Sequence, residues 1–162
     1  MTFKYLHPIF TLQYPNYPML HAPDPYYINE RQLFGQWQVP IYPIEFALLE
    51  HDPAMLKKYL DAGANPNVDI GGGWTLLHKV CAYAIDSMLQ NHRNEFYPEL
   101  LEIMQLLVEN GGDLHKKNDK GKKPLDIINS YGYDNKQQWL SVVNLFRPAI
   151  SGIDELIAYH GA

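Results

Sequence analysis

A single cysteine, Cys81, stands among the 162 residues, so no disulfide can form within the chain and a reducing compartment is expected. No stretch approaches the roughly 18 uninterrupted apolar residues of a membrane span. Residues 1–10 carry one early lysine, but His7 and Pro8 break their apolar character, so no signal peptide is read. These omissions predict a cytoplasmic protein without a membrane contact. The patterns His-Glu-x-x-His and Cys-x-x-Cys do not occur, and His7, His21, His51, His92, His115 and His160 are scattered singly. Neither a metal site nor a cofactor is expected. Basic residues are the minority, 13 against 18 acidic ones, and the net charge of −5 argues against nucleic acid as a partner.

Apolar residues make up 46% of the chain, enough for one domain with a real core. Residues 1–41 differ from the rest. Pro8, Pro15, Pro18, Pro23, Pro25 and Pro40 are interleaved with Tyr5, Tyr14, Tyr17, Tyr26 and Tyr27. Each proline removes an amide donor and pushes its predecessor toward extended geometry, which forbids a long helix. Short strands, turns and one brief helix near 29–34 are predicted. The tyrosines and Trp37 would leave much apolar area in water if uncovered. This segment is therefore expected to pack on the chain beyond residue 41 as an N-terminal cap.

Two later stretches are nearly the same phrase: Lys58-Tyr-Leu-Asp-Ala-Gly-Ala-Asn65-Pro-Asn67 and Leu106-Leu-Val-Glu-Asn-Gly-Gly-Asp113-Leu-His115. Each ends a predicted helix on a glycine, Gly63 or Gly111, suited to the left-handed conformation of a helix C-terminus. Upstream, Pro43 suits a first helical turn, Ala47 and Leu48 an inner helix, and Met55, Leu56, Tyr59 and Leu60 an outer one. Thr75 is a good cap for the next helix. Tyr42 to Thr75 is 33 residues, whereas the two glycines are 48 apart, so the second unit carries 15 extra residues near 84–98. Leu77, Val80, Cys81, Ala84, Ile85, Met88 and Leu89 hold one stripe at the three-and-four spacing, which predicts a lengthened helix. Pro98 begins its lengthened outer partner. A third unit runs from Lys123-Pro124-Leu125-Asp126 to an outer helix over 135–146, stopped by Pro148, and residues 151–159 read as a short final helix.

The 33-residue phase, the Thr75-Leu-Leu-His78 start and the Gly-Ala-Asn and Gly-Gly-Asp endings resemble the ankyrin repeat family. The expected fold is an all-α solenoid of about three repeats, over 42–67, 75–115 and 123–147. Residues 1–41 would cap one end and 148–162 the other. Tyr42, Leu76, Lys123 and Asp126 depart from the family's start motif without disturbing the phase.

His78 is read as a structural group at the helix entrance, since no second ligand or base stands at useful spacing. Gly71-Gly72-Gly73 lacks the Gly-Lys-Ser/Thr of a phosphate loop and is read as a tight turn needing positive φ. Cys81 is read as packing between helices. Lys116, Lys117, Lys120, Lys122 and Lys123 face only Asp119 within eight residues, a local charge of +4 against −9 elsewhere. They form either a solvated hairpin or a basic finger that meets an acidic patch or phosphate.

The resemblance implies a binding scaffold without catalytic residues, which grips a protein with its hairpin tips and inner helices. The tip places are Gly71, Gly72, Trp74, Asp119, Lys120 and Lys122. The inner-helix places are Leu49, Glu50, Ala82, Tyr83, Ser130 and Tyr131. From these, Glu50, Trp74, Tyr83, Asp119, Lys120, Lys122 and Tyr131 are the expected partner contacts, with the three aromatics as anchors or as packing between repeats. A short acidic array with its own leader and an enlarged hairpin suggests a bacterial immunity protein, monomeric when free, that occludes a cognate toxin domain. The alternatives are a translocated effector that binds a host protein, a dimer paired through the long hairpin, and a small hydrolase using His92 and Glu95.

Overall fold

The computed structural model describes residues 19–20, 23–34 and 39–160. The fold is all-α: six α-helices and two 3-10 helices carry the described chain, and the only strands among the described residues are the two-residue parallel pair β1 (Met19–Leu20) and β2 (Leu33–Phe34). None of the described helices is long and apolar enough to cross a membrane.

Helices α1 (Pro43–Leu49) and α2 (Pro53–Asp61) form a short hairpin. Each begins on a proline, whose missing N–H is no loss in a first turn. Asp52 also caps α2, its Oδ1 accepting from Met55 N at 2.9 Å. Helices α3 (Leu76–Gln90) and α4 (Pro98–Glu109) repeat the design at greater length, 15 residues against seven and 12 against nine. The extra residues are thus divided between both helices and the loop 91–97. The third unit pairs a seven-residue 3-10 helix (Pro124–Ser130) with α5 (Lys136–Phe146), whose cap is Asn135. A last turn, α6 (Ile153–Leu156), completes the stack.

The apolar faces meet in one core in which Leu48, Leu56, Leu76, Leu77, Leu100, Ile103, Met104 and Phe146 are sealed from water. Phe96 of the 91–97 loop reaches Phe146 edge-on at 4.7 Å, tying the enlarged hairpin to the third unit.

Both outer helices stop at glycine, Gly63 at φ 96° and Gly111 at φ 89°. Both inner helices stop instead on histidine with positive φ, His51 at 53° and His92 at 52°. The hydrogen bonds match at the two inner ends: Asp52 N donates to Ala47 O at 3.0 Å and Arg93 N to Met88 O at 2.9 Å.

Short hairpins join the units at one end of the stack. Gln32 N donates to Ile41 O at 2.8 Å, Ile70 N to Trp74 O at 2.8 Å, and Asn118 N to Lys122 O at 2.9 Å. The first of these pairs Gln32 of the leader with Ile41, just ahead of α1. Arg31 locks the leader down by donating to Ile70 O at 2.9 Å. Two asparagines then link successive units. Asn29 donates to Gly63 O at 3.0 Å and accepts from Asn65 N at 2.6 Å. Asn67 repeats both bonds on Gly111 O, at 2.8 Å, and Asp113 N, at 2.7 Å.

Four expectations need correction. Residues 29–34 are not a helix. The 3-10 helix lies earlier, at Pro25–Tyr27, where Asp24 caps it and the Gln32 amide also donates to the carbonyls of Asp24 and Tyr27. Of the leader's aromatics, Tyr26 and Tyr27 are 83% and 46% exposed and do not pack as a cap, whereas Ile28 joins the core. Tyr5, Tyr14, Tyr17 and Trp37 lie outside the described residues. Leu89 is not in the buried stripe of α3, being 55% exposed next to buried Met88. The final helix is a single turn: Ile157 is extended and residues 157–160 carry no helix.

Candidate protein-binding face

The second and third hairpins stack tip on tip. Asp119 N donates to Gly72 O at 3.0 Å, and a Cβ on Gly73 would sit 2.7 Å from Asp119 Oδ1 and 2.8 Å from Asp119 N. Only glycine permits that approach, and φ at Gly73 is 72°. The roots of both tips are tied by acidic or amide side chains. Asp69 Oδ1 accepts from Gly71 N and Gly73 N, and Asn118 Oδ1 from Lys120 N and Lys122 N.

His78 joins the second inner helix to the third hairpin. Its Nδ1 accepts from Thr75 N at 3.1 Å, which leaves Nε2 to donate to Lys122 O at 2.9 Å. The imidazole is therefore neutral, and burial holds its pKa below the ordinary value. In the third unit Asp126 takes the same place, accepting from Lys123 N at 2.8 Å. In the first unit Glu45 stands there but reaches across to Lys79 at 2.6 Å. The Cys81 thiol is fully buried, which pushes its pKa up to about 12 and keeps it protonated, in line with a packing role.

Between the stacked tips and the inner helices lies a groove of about 260 Å³. Trp74 forms one wall, its ring 5.7 Å from that of His78. Tyr131 also lines the groove, held to α3 by its hydroxyl, which lies 2.7 Å from Asp86 Oδ1 and 3.1 Å from Ala82 O. Burial and then the bond to Asp86 raise the Tyr131 pKa far above the usual phenol range, so the group stays un-ionised. Buried Ile127 and Asn118 and exposed Lys120 and Lys122 line it as well.

Four of the seven expected contacts, Trp74, Lys120, Lys122 and Tyr131, thus share one groove, and Asp119 lies on the adjoining tip. Glu50 and Tyr83 lie elsewhere, by the αL turn that ends α1. There His51 Nε2 is 3.2 Å from the Tyr83 hydroxyl, and Tyr97 closes the cluster beneath the Arg93 guanidinium at 4.3 Å. All three aromatics are half-buried and packed on neighbours, and each keeps exposed area.

The lysine cluster is divided by use. Lys116 donates to Asn67 O at 2.7 Å and Lys123 to Leu156 O at 3.4 Å, so these two fasten units together. Lys117, Lys120 and Lys122 are exposed and have no acidic partner among the described residues. Reading the sequence did not single out Asn118, Glu45, Asn29 or Asn67. Asn118 was the most accessible of these, since an Asn two residues before a lysine and three before a glycine is the signature of a side-chain-closed turn.

His92 ends α3 in the αL conformation, and Glu95 pairs with Arg93 at 3.5 Å rather than with His92. Among the described residues, no three His, Cys, Asp or Glu side chains converge where a metal ion could sit. Comparison with protein-family models, with curated proteins and with solved structures finds no match to this chain.

Proposed function

We propose that the chain is an ankyrin-like solenoid of three units that binds another protein through the concave face made by its hairpin tips and inner helices. The observation that carries this reading is the groove in which Trp74, Tyr131, Lys120 and Lys122 meet. It combines two anchored aromatics with two unneutralised cations, the composition of an interface hot spot ringed by steering charge. Further support comes from the repeated inter-unit bridges and from the paired asparagine links, which join the leader to the first unit and the first unit to the second in the same way.

The most specific form of the reading is a bacterial immunity protein, cytoplasmic and monomeric when free, that covers the working cleft of a cognate toxin. The mechanism would be occlusion, with no bond made or broken by this chain. Affinity capture from the native cell tests it. A single stoichiometric partner, encoded beside this chain, inhibited on binding and retained poorly by Trp74→Ala, is the expected result. That variant should weaken the complex by about 2 kcal/mol or more. Capture of no protein overturns the reading, and capture of a host protein replaces the immunity role with that of an effector.

A further inference from the structure

We propose that this groove is built to receive an acidic side chain, a glutamate of the bound protein, with Asn118 as the group that recognises its carboxylate. The inference rests on reading the groove as a protein-contact site and specifies its chemistry.

Asn118 is 6% exposed and lines the groove. Its Oδ1 accepts from two backbone amides, Lys120 N at 2.9 Å and Lys122 N at 3.0 Å, so the amide cannot be turned over without breaking both. That fixes Nδ2 as the remaining donor, buried beside the groove with no acceptor within the described residues in reach. A buried donor left unmatched is costly, which makes an acceptor from outside the chain favourable there.

The two charged side chains that line the groove, Lys120 and Lys122, are both cationic. Lys120 and Lys122 rise from the two residues whose backbone Asn118 holds, and the Lys122 carbonyl is held in addition by His78. Their roots are therefore fixed before anything binds. None of the nearby carboxylates lines the groove: Asp126 accepts from Lys123 N, Asp86 accepts from the Tyr131 hydroxyl, and Asp119 lies against Gly73. Tyr131, having donated to α3, has no proton left to offer.

Carboxylate is favoured over phosphate on two grounds. The donors are one amide and two ammonium groups, with no arginine among the lining residues, and the 3-10 helix beside them opens on Pro124, which has no N–H. Trp74 and Ile127 supply flat apolar surface that suits the methylenes of glutamate and gives a phosphate nothing.

The test titrates the purified chain with acetyl-Gly-Glu-Gly-amide, with its Gln counterpart and with inorganic phosphate, following the Asn118 side-chain amide and the Trp74 indole N–H by NMR. The Glu peptide should shift both signals, saturate, lose strength with added salt and bind about tenfold tighter than the Gln peptide. Asn118→Asp keeps the acceptor that closes the turn, as Asp69 does in the neighbouring hairpin, but replaces the donor by an anion. It should stay folded and lose the Glu response. Lys120→Gln with Lys122→Gln, both at exposed positions, should lose most of it too. Equal binding of the two peptides, a response to phosphate alone, or full binding by Asn118→Asp overturns the proposal. A native partner captured equally well by wild type and Asn118→Asp removes the subsite and leaves the protein-binding reading. A clean Glu titration with no partner captured does the reverse.

Discussion

His78 uses its two ring nitrogens in opposite senses, accepting inside its own unit and donating to the next, and that division requires the neutral ring. Because burial lowers its folded pKa below the ordinary 6.5, the unfolded chain binds the proton more readily. The stability His78 contributes is complete above that ordinary value and drains away as pH falls from it toward the folded one. Urea midpoints measured between about pH 7.5 and 5.5 should therefore decline in the wild type, with a flatter profile in His78→Gln. Two glycines of nearly equal φ separate strain from crowding. Gly121, at 71°, has open space around it, so Gly121→Ala should cost about 1 kcal/mol. Gly73→Ala adds a collision with Asp119 and should cost about 2–4 kcal/mol, read from urea unfolding of the two variants side by side. The turn role of Gly71-Gly72-Gly73 was legible from composition, but the contact that makes Gly73 irreplaceable was not, because its partner lies in the next hairpin.

At the scale of elements, α3 shows where a periodic pattern stops informing. The three-and-four spacing that places Val80, Cys81, Ala84, Ile85 and Met88 in the core also predicts Leu89, which points to water. Adjacent residues on a helix lie about 100° apart, so both can face inward only where neighbours surround the helix on two sides. Near the end of α3 that condition fails. Met88→Ala should cost about 2–3 kcal/mol and Leu89→Gln no more than about 0.5, measured as shifts in thermal midpoint. Helix starts were readable because Pro43, Pro98, Pro124 and Asn135 act locally. The ends of the inner helices were not, because histidine at positive φ is an unusual terminator. His92 is exposed and its side chain has no hydrogen-bond partner among the described residues, so His92→Gly should raise stability by about 0.5–1 kcal/mol. His51→Gly should gain less, since it forfeits the contact with Tyr83.

For the molecule as a whole, the phase of the units was visible in the spacing of repeated words, whereas their coupling was not, because it runs through side chains 34 to 49 residues from their partners. Asn67 is the central link. Asn67→Ala should cost about 1–2 kcal/mol and speed hydrogen exchange at the Asp113 amide, while exchange in the core of α4 should rise only to the extent that the units unfold together. Of the expected contact residues, Trp74, Lys120, Lys122 and Tyr131 converged on one groove because stacked tips bring residues 74, 120 and 122 together. Glu50 and Tyr83 were drawn away because α3 outgrows α1 and its overhang forms a separate cluster with His51. Within that groove, Asn118 does two jobs with the two ends of one amide, and the jobs are inherited differently. Asparagine and aspartate are one nucleotide transition apart in the genetic code, and either closes the turn. A lineage can therefore invert the charge its groove selects for in a single mutational step, with the scaffold untouched, and a coevolving partner would have to answer by changing the sign of one residue.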